Sequence, residues 1–180
     1  ELKAAHFNTV LFQVRTRGDV FYRSKIEPFS AILTGSVGKD PGYDPLAFVV
    51  EECHKRGMEC HAWIVALPLG GRKPVTSLGA RSVVKKQPAI TISYKREYFL
   101  DPGHPDTKEY LMKLVREVVK NYDVDGVHFD YLRYPEHAGT RFPDTRGFRK
   151  YGKGRSLAAW RRDNLTDILR HLYKGVKAMK

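Results

Sequence analysis

The sequence predicts an α/β fold with parallel strands, and three observations carry that prediction. Short apolar runs alternate with longer stretches whose apolar residues recur at helical spacing. Every helix-to-strand connection is short, and every strand-to-helix connection is long. In each apolar run the polar residues share one parity and fall towards the C-terminal end. The 180 residues form a single domain, 1–180, and suffice to bury a core without staples.

Residues 1–7 (ELKAAHF) read as the last turns of a helix that starts upstream, so the chain is expected to be a piece of something longer. Thr9–Arg15 (TVLFQVR) is the first strand, rich in β-branched and aromatic residues. A helix over 45–56 follows, with Asp44 as N-cap, Pro45 at its first position and Gly57 as its stop. Leu46, Val49, Val50 and Cys53 make its apolar face. The second strand covers 60–66 (CHAWIVA). The next helix covers 105–121, starts at Pro105 and points Leu111, Leu114, Val115 and Val118 inward. The third strand covers 126–131 (GVHFDY). A last helix, 156–178, opens at Ser156 and carries Trp160, Leu165, Leu169, Leu172 and Val176 inward.

The turns 57–59 and 122–125 are short, whereas the segments 16–43, 67–104 and 132–155 are long. All the elaborated loops therefore follow the C-terminal ends of strands, where open α/β sheets and (β/α) barrels build their sites. Alternation of this kind calls for right-handed crossovers between parallel strands.

Composition narrows the function classes. A 42 % hydrophobic and 29 % charged chain with mean hydropathy −0.47 is neither a disordered tail nor a membrane protein. No apolar run approaches the roughly 18–20 residues that span a bilayer. Cys53 and Cys60 are too few for a disulfide framework and read as buried free thiols. A net charge of +12 and a pI near 9.7 predict anionic partners. Nucleic acid is not the expected one, because no nucleic-acid motif accompanies the charge.

The strand parities place the chemistry. Gln13 and Arg15 share one face of the first strand, His61 and Trp63 one face of the second, and His128 and Asp130 one face of the third. The opposite faces are apolar and suit a helix layer. This fits a barrel interior whose upper rim is a polar pocket. Asp130 is the sharpest candidate, since a carboxylate at a buried strand end is costly unless it is paired or used. It reads as a nucleophile or general base held ionised by Arg15 and His128, or else as an ion-pair partner of Arg15 or Arg133.

No HxH or HExxH spacing accompanies His61 and His128, so a hydroxyl-binding role is expected rather than a metal, and no cofactor is implied. Trp63, Tyr22, Tyr94, Tyr98, Tyr131 and Tyr134 read as sugar-stacking platforms or as ordinary core and rim aromatics. Asp101, in Asp-Pro-Gly ahead of a helix, starts a turn and is placed to project into the pocket. The segment 141–162 holds eight Lys/Arg against one acid, Asp144, and is either a solvated face or a surface for a polyanion.

Five ordered blocks carry a resemblance: NTVLFQVRTRGDVFYRS, DPGYDPLAFVVEECHKRGMECHAW, YFLDPGHPDTKEYL, YDVDGVHFDYLRYP and LAAWRRDNL. Together they resemble the glycosyl hydrolase-like 10 family of bacterial envelope proteins, from about Asn8 to the C-terminus. The resemblance implies a (β/α)8 barrel of which this chain holds about strands two to four, a partial TIM barrel. It also implies a glycosidase, for some relatives one acting on peptidoglycan glycan strands, in the envelope, periplasm or secreted space. The family's strand-end aspartate matches Asp130 as catalytic residue. Its Gln and Arg match Gln13 and Arg15, its His and Trp match His61 and Trp63, and its loop Asp matches Asp101. With His128, Tyr131 and Arg133 these form the expected substrate-binding set.

Glycoside hydrolysis ordinarily takes two carboxyl groups. Asp19, Asp101 and Glu136 are the local candidates for the second, with a later strand the more natural source. The isolated chain is thus expected to be catalytically incomplete, with the rest of the barrel or another copy covering its open strand edges. The alternative is a non-catalytic carbohydrate-binding module on an incomplete barrel.

Overall fold

A computed structural model describes residues 1–136 and 141–180, apart from the side chain of Pro74. The expected connection 132–155 therefore lies partly outside the described residues. Three parallel strands form the central sheet: β1 (Thr9–Arg15), β2 (Glu59–Val65) and β6 (Gly126–Asp130), in the order β1-β2-β6. Helix α1 (Pro45–His54) crosses from β1 to β2, and α4 (Asp106–Asn121) leads back to β6. Helix α6 (Leu157–Lys177) follows β6 and packs on α4. This is the three-stranded portion of a (β/α) barrel, and each expected strand lies within one residue of its observed position.

The caps act as their chemistry requires. Asp44 accepts the Ala47 N–H at 3.2 Å, and Ser156 accepts the Ala159 N–H at 3.3 Å. Asp44 also accepts the Tyr122 hydroxyl at 2.6 Å, which ties the start of α1 to the end of α4. The expected N-terminal helix end is only a single 3-10 turn, Lys3–Ala5.

The core lies on one face of the sheet. Cys60, Ala62 and Ile64 of β2 are buried against Leu46, Val50 and Cys53 of α1 and Leu111, Leu114, Val115 and Val118 of α4. Val10, Phe12, Val127 and Phe129 pack against the same cluster. Each fully buried aliphatic side chain here contributes about 1.5–3 kcal/mol relative to exposure. Helix α6 corrects one expectation: its buried stripe is Trp160, Ile168 and Leu172, while Leu169 is 47 % exposed. The helix rests on α4 along one narrow line, and Ile168, not Leu169, falls on it.

The long 67–104 connection holds a second, antiparallel sheet that sequence patterning does not show. Its strands are β3 (Pro68–Gly71), β4 (Thr91–Tyr94) and β5 (Glu97–Leu100), ordered β3-β5-β4. Two short helices, α2 (Arg72–Ser77) and α3 (Val83–Lys86), lie between β3 and β4. In the last long connection, α5 (Thr145–Tyr151) precedes α6.

Candidate active site

The sheet face away from the helices is built in rungs. Register aligns Leu11 with His61 and Gly126 in the lowest rung, and Gln13 with Trp63 and His128 in the next. Asp130 stands at the top, opposite Val65. Leu11 is 45 % exposed, His128 is exposed, and Gln13, His61, Trp63 and Asp130 are half-buried.

Asp130 is held by neutral donors. The Trp63 Nε1–H donates to its Oδ2 at 3.2 Å, and its Oδ1 accepts the Tyr131 N–H at 2.7 Å. The Trp63 and His128 rings meet edge to face, 6.0 Å apart. No ion pair involves Asp130 among the described residues. The carboxylate is therefore neither sheltered by Arg15 nor tied to Arg133.

Arg15 departs most from its expected place. A bulge between Gln13 and Arg15 shifts the register, so Arg15 leaves the parity of Gln13 and is fully buried. Its Nε and Nη2 grip both oxygens of buried Glu27, at 2.7 and 2.8 Å. Burial alone would lower its pKa, but the Glu27 charge and hydrogen bonds raise it above the ordinary arginine value. Arg15 is thus not on the groove surface with Gln13.

His61 also lies lower than a strand-end residue would. It sits beside Gly126, four residues and roughly 13 Å below Asp130 along the strand, and its Nε2 is 3.2 Å from Glu59 Oε2. Gly126 is required there, because a Cβ at that position would stand 2.6 Å from the His61 ring.

Asp101 is buried and does not line the groove. Its Oδ1 accepts the Gly103 N–H at 2.8 Å, its backbone carbonyl accepts the Thr107 hydroxyl at 2.6 Å, and Trp160 packs directly on Gly103. Burial pushes its carboxyl pKa up, opposed by the Gly103 N–H and reinforced by nearby Asp144. The Asp-Pro-Gly turn serves as an anchor for the start of α4.

Above the rungs the long loops enclose a groove with two lobes. The larger, about 520 Å³, is lined by Gln13, Thr16, Asp19, Ser30, Ile32 and Leu78 among others. The smaller, about 310 Å³, is lined by Arg133, Glu97, Phe99, Tyr134 and Glu136 among others. Tyr131, Arg17 and Pro68 belong to both. Tyr131 has φ 51°, a left-handed backbone that is unusual for a bulky residue. The Arg133 guanidinium lies 5.1 Å from the centre of its ring.

The groove carboxylates are Asp19, Glu97 and Glu136. Asp19 accepts the Thr16 hydroxyl and, at 3.3 Å, the Arg17 N–H. Glu97 pairs with Arg17 at 3.2 Å and Glu136 with Arg133 at 2.6 Å. Sequence reasoning found Asp19 and Glu136 but missed Arg17, Ile32, Leu78 and Glu97. These residues lie in irregular or short elements with no periodicity to expose them. Among the described residues, no three His, Cys, Asp or Glu side chains converge as a metal-binding group.

Comparison with known proteins agrees with this architecture. The family model described as glycosyl hydrolase-like 10 matches residues 1–180. The chain is 38 % identical over 177 residues to "Glycosyl hydrolase YngK" of Bacillus subtilis, covering 96 % of this chain and 35 % of that protein. It is 39 % identical over 189 residues to "Glycosyl hydrolase DigH" of Escherichia coli, covering 99 % of this chain and 43 % of that protein. The chain thus spans well under half the length of these curated relatives. Among solved structures, a hypothetical protein from Ruminiclostridium thermocellum superposes with TM-score 0.63 at 16 % identity, covering 96 % of this chain and 80 % of that one. A Flavobacterium johnsoniae chitobiase superposes with TM-score 0.58 at 18 % identity, covering 97 % of this chain and 26 % of that one. At such identities the likeness is one of fold.

Proposed function

Because the chain belongs to the glycosyl hydrolase-like 10 family, we propose that it forms part of a glycoside hydrolase acting on a bacterial cell-wall or other acidic polysaccharide in the cell envelope. In this reading Asp130 is the nucleophile or general base. The observation that carries the reading is its position: a half-buried carboxylate at the C-terminal end of a barrel strand, held by Trp63 and the Tyr131 N–H with no ion-pair partner among the described residues, next to Tyr131 and opposite Val65, which line the groove. Two neutral donors keep such a carboxylate oriented towards the sheet's upper end.

The second carboxyl group belongs about 5–5.5 Å away for retention or about 6.5–9.5 Å away for inversion. Asp19 and Glu136 are the local candidates, and a later strand of the complete protein is the other source. The net charge of +12 favours an anionic glycan. Gln13, Trp63, His128, Tyr131 and Arg133 are assigned to substrate binding.

A second reading is a binding module without turnover. It is favoured by the arginine pairing of Glu97 and Glu136, which leaves Asp19 as the groove's remaining carboxylate. The Asp130→Asn variant, made in the protein as it naturally occurs and not in the isolated chain, separates the two. For an enzyme, release of reducing ends from a soluble acidic glycan falls at least a hundredfold while calorimetric affinity for the same glycan persists. Undiminished release by the variant would remove Asp130 from the mechanism, and no release by the wild-type protein would favour the binding module.

A further inference from the structure

We propose that Arg15 is a positioning residue for Asp130, acting through the single peptide unit that joins Val65 to Ala66. The inference rests on the reading of Asp130 as nucleophile or base. Arg15 Nη1 donates to the Val65 carbonyl, and to the Ala66 carbonyl at 3.2 Å. The Ala66 N–H donates to the Asp130 carbonyl at 2.8 Å. The Val65 C=O and the Ala66 N–H are the two ends of one planar peptide. A cation on its oxygen polarises the N–H at its other end, so the two hydrogen bonds reinforce each other in a dry interior.

The same guanidinium reaches the groove wall. Its other two nitrogens, Nε and Nη2, hold Glu27, which also accepts the Tyr110 hydroxyl of α4 at 2.6 Å. Glu27 lies three residues before Ser30, which lines the larger lobe. Arg15 thus links the backbone of Asp130, the loop that walls the groove and helix α4. The fork geometry is essential, since a lysine keeps the charge but cannot grip Glu27 in a bidentate fashion and reach both carbonyls.

The test is kinetic and spectroscopic, on the protein as it naturally occurs. Arg15→Lys lowers kcat on the acidic glycan about tenfold or more, in line with the cost of a small misplacement, and leaves KM within twofold. The backbone amide resonances of Ala66 and Tyr131 move in the same variant. In an Asp130→Asn background, Arg15→Lys leaves glycan affinity within twofold. Unchanged kcat in the folded fraction with only a lower Tm overturns the proposal, as does a raised KM at constant kcat, which would mean direct substrate contact. Should Arg15→Lys not fold, Tyr110→Phe removes one donor from Glu27. A kcat lowered threefold with the same resonances displaced supports the linkage, and unchanged kcat and resonances overturn it. Failure of the underlying reading is separately visible: Asp130→Asn would retain turnover whatever Arg15 does.

Discussion

The two faces of the central sheet are opposites made from the same three strands. One face presents Cys60, Ala62 and Ile64 to α1 and α4 and is sealed. The other presents Leu11, Gln13, His61, Trp63, His128 and Asp130 and is open, with Leu11 45 % exposed. Alternation along a strand means that each residue serves only one of these purposes. The sealed face supplies stability, and in the proposed reading the open face carries the chemistry, so substitutions on the two should separate cleanly.

The largest effect is expected on the sealed face. Leu114→Ala and Ile64→Ala each cost about 2–5 kcal/mol in urea unfolding, by lost burial and a residual cavity. Leu11→Ala, on the open face, costs less than about 1 kcal/mol in the same measurement. A loss at Leu11 as large as that at Ile64 would show that the open face is covered in solution, by a second copy or by further chain.

Gly126→Ala tests the lowest rung of the open face. Its new Cβ would meet the His61 ring at 2.6 Å, and overpacking of this kind costs about 1–3 kcal/mol. The double variant His61→Ala/Gly126→Ala recovers most of that loss. If it recovers none, the clash is with backbone and His61 is not the neighbour that matters.

The smallest effect concerns pH and lies outside both faces. Asp101 has a raised carboxyl pKa because it is buried, with Asp144 adding to the effect and the Gly103 N–H opposing it. A carboxyl whose folded pKa is raised gives stability that is full below its unfolded pKa and is lost as pH rises through its folded pKa. Asp101→Asn therefore flattens the fall in Tm from the ordinary carboxyl range upward, while its amide oxygen still accepts the Gly103 N–H. An unchanged Tm profile would show that Asp101 titrates normally.

The sealed face was legible in the sequence almost residue by residue, because burial imposes periodicity and capping has specific chemistry. Asp44, Pro45 and Ser156 mark helix starts that the structure keeps. The open face was legible as parity for Gln13, Trp63, His128 and Asp130. It failed at Arg15, since the bulge at Val14 carries no Gly or Pro to announce it. The antiparallel sheet was hidden for a related reason. Its hairpin from Tyr94 to Glu97 turns on Lys95 and Arg96, with φ 47° and 66°. Both positions call for left-handed backbone that Asn-Gly ordinarily supplies, so the usual hairpin signature is missing.

The order β1-β2-β6 also has a consequence in time. The hairpin of β4 and β5 closes over two residues, and such turns form in about 1–10 μs. Strand β6 pairs with β2 only after the whole intervening excursion and α4 have been gathered in, a long closure of the kind that slows folding. Asp130 meets the Trp63 indole in that late step. The candidate catalytic group is then expected to assemble after the hairpin, and the fluorescence of Trp63, read with Trp160 replaced by Phe, times its arrival.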